Sequence, residues 1–152
     1  MGRDTGIVLV TRRKMSTEAD EWGTTVYLGD EVIPSWAHIE EETWREGDGN
    51  PNTYIEIAYW RKFHSLADWI DQLLDCDPRE TEDKELSIAQ LQKVQDILVA
   101  QLKNPSECHH GFLEVDEIAP MLAQQIMNIS WLLGYLRESH DPHAYVFFYD
   151  SI

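Results

Sequence analysis

Thr53-Tyr54-Ile55-Glu56-Ile57-Ala58-Tyr59-Trp60-Arg61-Lys62-Phe63-His64-Ser65-Leu66-Ala67-Asp68-Trp69 is the stretch on which the fold turns. Ile55, Tyr59, Leu66, Ile70 and Leu73 share one stripe at a period of about 3.6 residues, which predicts an amphipathic helix. Thr53 and Glu56 have the T-x-x-E spacing of a capping box, so the helix is expected to start near Thr53 and to end between Asp75 and Pro78. On it, Arg61, Ser65, Asp68 and Gln72 fall on the solvent face, and Tyr59 and Trp69 belong to the core. Lys62 lies at the edge of the apolar stripe. An ammonium there must snorkel, pair with a carboxylate or meet an anionic ligand. Trp60, His64 and Asp71 form a third arc, with Asp68 or Asp71 placed to hold the His64 imidazole.

On either side of this stretch the elements are easier to assign. Residues 6–11 are β-branched and apolar and read as a buried strand, followed by the basic island Arg12-Arg13-Lys14. Residues 24–28 suggest a second, shorter strand closed by Gly29-Asp30. Glu31 to Asn52 reads as a long irregular loop, with Pro34, Trp36, Trp44 and the turn-rich run Gly47 to Pro51. Beyond the first helix, Arg79 to Glu85 reads as an acidic linker. A second helix is expected from Ile88 to Lys103, capped by Ser87 and Gln90 and buried through Leu91, Val94, Leu98 and Leu102. A third runs from about Asp116 to Glu138, with Ile118, Leu122, Ile126, Ile129, Leu133 and Leu136 on its apolar face. Tyr145 to Tyr149 reads as a strand whose natural partner is the N-terminal one. The expected fold class is α+β: one domain over 1–152, a small sheet including the two chain ends, and three main helices packed on it.

The chain has 152 residues, 12 Lys and Arg against 28 Asp and Glu, and a formal charge of −16. That charge repels nucleic acid, so direct nucleic-acid binding is not expected, while basic partners are attracted. It also permits carboxylates to stand in for phosphates at a basic groove. Cys76 and Cys108 read as free thiols rather than a disulfide scaffold. Gly6 to Val10 is too short for a signal-peptide core and no apolar run suits a membrane span, which points to a cytoplasmic protein without membrane contact.

Cys108-His109-His110 with His140 and His143 matches no zinc spacing, so no metal or cofactor is expected. No phosphate loop, nucleophile elbow or cysteine–histidine dyad is readable. The acidic runs Glu40 to Glu42 and Glu80 to Glu85 single out no catalytic pair.

Glu56, Tyr59-Trp60-Arg61-Lys62 and Trp69 resemble the E-x-x-Y-W-R-K-A-N-x-I-H-x-W motif of small, largely uncharacterised phage and bacterial proteins. Those proteins open M-G-L-D, where this chain has Met1-Gly2-Arg3-Asp4. Gly111-Phe112 is similar to their G-F-F-like turn, and Phe147-Phe148-Tyr149-Asp150-Ser151 to their aromatic tail. The resemblance implies a helix for the motif and a phage or prophage setting, in which small proteins often interfere with host defence. His64 stands where the family has Asn, and Ala67 where it has His.

The function expected first is a non-catalytic binding protein. It would sequester a small anionic, nucleotide-like ligand or signal, with Tyr59 or Trp60 stacking, Arg61 and Lys62 on phosphate oxygens, and His64 beside them. The alternative is an acidic nucleic-acid mimic that inhibits a basic host protein. A third is a small hydrolase or transferase using His64. Trp36 and Trp44, if exposed, would mark a partner surface or a homodimer interface.

Overall fold

The computed structural model describes residues 4–42, 52–61, 70, 72–73, 84–104 and 115–151. The elements are β1 (Asp4–Thr11), β2 (Met15–Asp20), β3 (Gly23–Leu28), β4 (Glu31–Ile33), β5 (Glu40–Glu42), β6 (Thr53–Arg61), β7 (Lys84–Leu86), α1 (Ile88–Lys103), α2 (Val115–Glu138) and β8 (Tyr145–Ser151). The fold is α+β. One antiparallel sheet has the order β5-β6-β1-β8-β7 and a smaller one the order β2-β3-β4.

β1 lies at the centre of the large sheet, and the two faces of its sequence serve two clusters. Ile7 and Leu9 join Ile55, Ile57, Trp60, Phe148, the α1 residues Leu91, Val94 and Leu98, and the α2 residues Leu122, Ile129 and Leu132 in the main core. Val8 and Val10, pointing to the opposite face, pack with Phe147, Tyr54 and Tyr149. Gly6 leaves room on that second face for the Tyr149 ring, since a Cβ there would lie 2.6 Å from the Tyr149 hydroxyl and the ring would have to move.

Thr53 to Arg61 is a strand, which corrects the helix expected there. The residues buried are Thr53, Ile55, Ile57, Ala58 and Trp60. That pattern is two-residue alternation interrupted once. Ala58 pairs with Ile7 and Glu56 with Val8, so Ile57 is the extra residue of a β-bulge and the burial phase slips by one. The slip leaves Tyr59 exposed, so the Ile55–Tyr59 spacing that suggested a helical stripe does not join two buried residues. Thr53, Ile55 and Ile57 are β-branched, and the central β1 offers their backbone a partner along its whole length. Ile70, Gln72 and Leu73 do have helical backbone, with Ile70 fully buried and Gln72 exposed. Among the described residues there are otherwise two helices, α1 and α2.

Three further elements differ from expectation. Glu31–Ile33 and Glu40–Glu42 are short strands inside the segment expected to be a loop, and Lys84–Leu86 is an edge strand where an acidic linker was expected. α1 has the bounds and the cap expected: Gln90 N–H donates to Ser87 Oγ at 3.1 Å and Ser87 N–H to Gln90 Oε1 at 2.9 Å. No helix among the described residues is long and apolar enough to cross a membrane.

Candidate functional site

β6 is longer than the strand that covers it. β5 pairs only with Tyr54, Ile55 and Glu56, so the edge of β6 beyond Glu56 needs another hydrogen-bond partner. α2 supplies it with side-chain amides. Asn128 Nδ2 donates to the Ile57 carbonyl and to the His38 carbonyl, each at 3.0 Å. Its Oδ1 accepts from His38 N–H and from Gln124 Nε2, again at 3.0 Å each. Gln125 Nε2 donates to the Tyr59 carbonyl at 3.1 Å, and its Oε1 accepts from the Trp60 indole N–H. Gln124 Nε2 also donates to the Trp36 carbonyl at 2.8 Å. Gln125 and Asn128 are both buried, so these amides replace a strand in satisfying the backbone.

Amides reach further than a strand would, and they leave a cleft of about 300 Å³ between β6 and α2. Its polar lining is His38, Glu40, Glu56, Tyr59 and the three α2 amides Gln124, Gln125 and Asn128, and its apolar lining is Ile57, Ala58 and Met121. Glu40 and Glu56 sit directly opposite each other across the β5–β6 pairing, and Glu42 lies one step along opposite Tyr54. Like charges directly opposed in a sheet repel. Burial pushes the Glu56 carboxyl up from its ordinary value, and the charges of Glu42 and Glu40 push it further the same way. Among the described residues none of these three carboxylates has an ion-pair partner, and Glu42 Oε2 is buried with no hydrogen bond. Glu56 pairs with Val8 and Tyr59 with Gly6, on the face of the sheet away from the main core. Together with Glu40 they give the outer rim of the cleft an acidic and aromatic character, suited to an ammonium or guanidinium group carrying an apolar stem.

The expected ligand-binding residues separate. Tyr59, expected on the core stripe and also as a stacking residue for a ligand, is 39% exposed at the rim of the cleft. Trp60, expected to stack on a ligand, is 1% exposed and packed in the main core, where its ring has no free face. Arg61 ends β6, opposite Asp4 of β1. Lys62, His64, Asp68 and Trp69 lie outside the described residues, as do Trp44, Cys76 and Cys108-His109-His110. Sequence reasoning passed over Glu40, Glu56, His38, Gln124, Gln125 and Asn128. The one visible signal was three amide side chains on an otherwise apolar run of α2.

A second polar cluster joins the end of β1 to the turn after α2. The Asp141 carboxylate, 3% exposed, accepts from Thr11 Oγ1, from the Tyr135 hydroxyl at 2.8 Å and from His143 N–H at 3.1 Å. Arg13 Nε lies 3.7 Å from it, Arg13 Nη2 donates to the Ser139 carbonyl at 3.0 Å, and the guanidinium covers the Tyr135 ring. Burial pushes Asp141 up, but the hydrogen bonds from Thr11, Tyr135 and His143 and the charge of Arg13 together hold it below its ordinary value. The Asp141 carboxylate is fully engaged by Thr11, Tyr135, His143 and Arg13, so the cluster acts as a clasp between β1 and the turn after α2. Among the described residues, no three His, Cys, Asp or Glu side chains are grouped to hold a metal ion.

No protein-family model matches the chain, and neither does any curated protein or solved structure. The resemblance to the small phage and bacterial proteins rests on the quoted motifs alone.

Proposed function

We propose that this is a non-catalytic binding protein that engages a basic partner protein, taking a lysine or arginine side chain of that partner into the cleft between β6 and α2. The observation that carries this reading is the pairing of Glu40 directly against Glu56 at the cleft, with no cation on either among the described residues. Folding has placed two carboxylates where they repel each other, and a bound cation relieves that repulsion. The formal charge of −16 acts in the same direction at longer range, steering a basic surface toward the molecule. In the phage setting that the motifs imply, the partner is a host protein whose basic groove holds nucleic acid, and the carboxylates take the place of phosphates.

A small anionic, nucleotide-like ligand is the second reading. Tyr59, exposed at the cleft rim and followed by Arg61 and Lys62, favours it; the carboxylates beside Tyr59 oppose it. One titration separates the two. Backbone-amide NMR of the labelled protein is followed with N-acetyl-arginine amide and, in parallel, with AMP and cyclic dinucleotides. The cationic reading expects the arginine derivative to shift His38, Glu40, Glu56, Tyr59 and Gln124, with the shifts lost in Glu40→Gln/Glu56→Gln. Nucleotide-induced shifts at Tyr59 and Arg61, with none from the arginine derivative, would overturn it in favour of the anionic reading.

A further inference from the structure

The small sheet carries a feature that the cleft does not use. β2 and β3 form a hairpin rooted in the body by Leu28 and by Met15 and Val26, which pack against the main core. Beyond that root, Ser16 to Thr24 is exposed along both strands. The turn is two residues, Glu21 and Trp22, closed by the pair Asp20–Gly23. Trp22 is 89% exposed, far more than any other large apolar side chain described.

A tryptophan can bury roughly 150–250 Å² of surface, and here almost none of it is used by the protein's own fold. Its position is nevertheless defined. Trp22 N–H donates to Asp20 Oδ1 at 2.8 Å, and Gly23 takes φ +138°, a conformation that residues with side chains rarely adopt. The indole is thus presented at the tip of a hairpin whose turn backbone is defined by that hydrogen bond and by the Asp20–Gly23 pair. Glu18, Asp20 and Glu21 precede Trp22 along the hairpin, and Met15 to Ile33 contains five carboxylates and no Lys or Arg. The Tyr27 hydroxyl, on the same face as Glu18 and Asp20, is pushed up in pKa, first by its hydrogen bond to Glu18, then by burial, then by the charges of Glu18 and Asp20.

We infer that the β2–β3 hairpin is a docking arm whose tip residue, Trp22, inserts into an apolar slot within a basic surface of a partner protein. Charge complementarity selects that occupant. A second copy of this chain would bring another −16 against the same carboxylates, and an anionic lipid surface would be repelled by Glu18, Asp20 and Glu21. The inference rests on the basic partner proposed for the cleft and adds a second, separate anchor for it.

The test is an array of purified bacterial proteins probed with the full chain as wild type, Trp22→Ala, Trp36→Ala and Glu40→Gln/Glu56→Gln. Hits are then titrated by calorimetry at two salt concentrations. The expected result is a hit of net positive charge whose affinity falls about 30-fold or more in Trp22→Ala and stays within about threefold in Trp36→Ala. Equal binding by wild type and Trp22→Ala, with loss in the cleft double variant, overturns the docking arm and leaves the cleft reading standing. Loss in Trp22→Ala with full binding by the double variant supports the arm and overturns the cleft. Absence of any basic hit overturns both. Sedimentation showing a dimer abolished by Trp22→Ala, or Trp22-dependent binding to phosphatidylcholine–phosphatidylserine vesicles, also overturns the inference.

Discussion

Asp141 shows how a single side chain can secure two distant parts of this chain. It receives donors from Thr11, Tyr135 and His143 and lies beside Arg13, tying the end of β1 to the turn that leads into β8. Asp141→Asn should lower unfolding free energy by about 3 kcal/mol near neutral pH, measured by urea denaturation. The pH dependence has a defined sign. A carboxylate held below its ordinary value stabilises the fold above the unfolded value of about 4, and that contribution is lost as pH falls through the folded value. The gap between wild type and variant should therefore close in acid. Tyr135 behaves oppositely: burial, then Asp141, raise its hydroxyl to about 12, so stability should decline as pH rises from about 10 toward that value. Glu56 is also raised, so its ionisation costs stability in neutral solution. Glu56→Gln should increase Tm at pH 7 by a few degrees at most, with the gain vanishing below about pH 4.

At the scale of elements, the edge of β6 is where sheet and helix meet through amides rather than through a ladder. Asn128→Ala would leave His38 N–H, the His38 carbonyl and the Ile57 carbonyl without their present partner. A loss of about 2–3 kcal/mol is expected in chemical denaturation, with faster hydrogen exchange at His38 N–H. Which elements were legible in the sequence follows from how local their causes are. α1 was readable because Ser87, Gln90 and the Leu91–Val94–Leu98 stripe lie within a few turns of one another. β6 was misread because Ile55 and Tyr59 stand four apart as on one helical stripe, although Tyr59 is exposed and the buried residues 55, 57, 58 and 60 follow a strand with one bulge. Glu40-Glu41-Glu42 has no intrinsic strand preference and is a strand only because β6 offers it an edge. Of the residues that line the cleft, Tyr59 alone was among the expected ligand contacts, and it was expected on a helix. Glu40 and Glu56 become neighbours through register, and register is a long-range property that no local pattern of Glu40 to Glu42 contains.

For the whole molecule, the imbalance of 28 acidic to 12 basic residues is the dominant long-range force. Self-repulsion of that charge opposes compaction, so Tm should rise as NaCl is increased from low concentration to about 0.5 M, where screening acts over only a few ångströms. The same field favours a cation over an anion at the acidic rim of the cleft between β6 and α2, and we propose that such a cation neutralises the opposed pair Glu40 and Glu56. The most direct measurement is the titration of the Glu56 side-chain carboxyl carbon by NMR, in the free protein and with saturating N-acetyl-arginine amide. The free protein should show Glu56 above the ordinary glutamate value, and the bound protein should show it lowered, with a matching release of protons on binding. A Glu56 titration that is unchanged by the arginine derivative, or that shifts upward, would show that no cation binds against the Glu40–Glu56 pair.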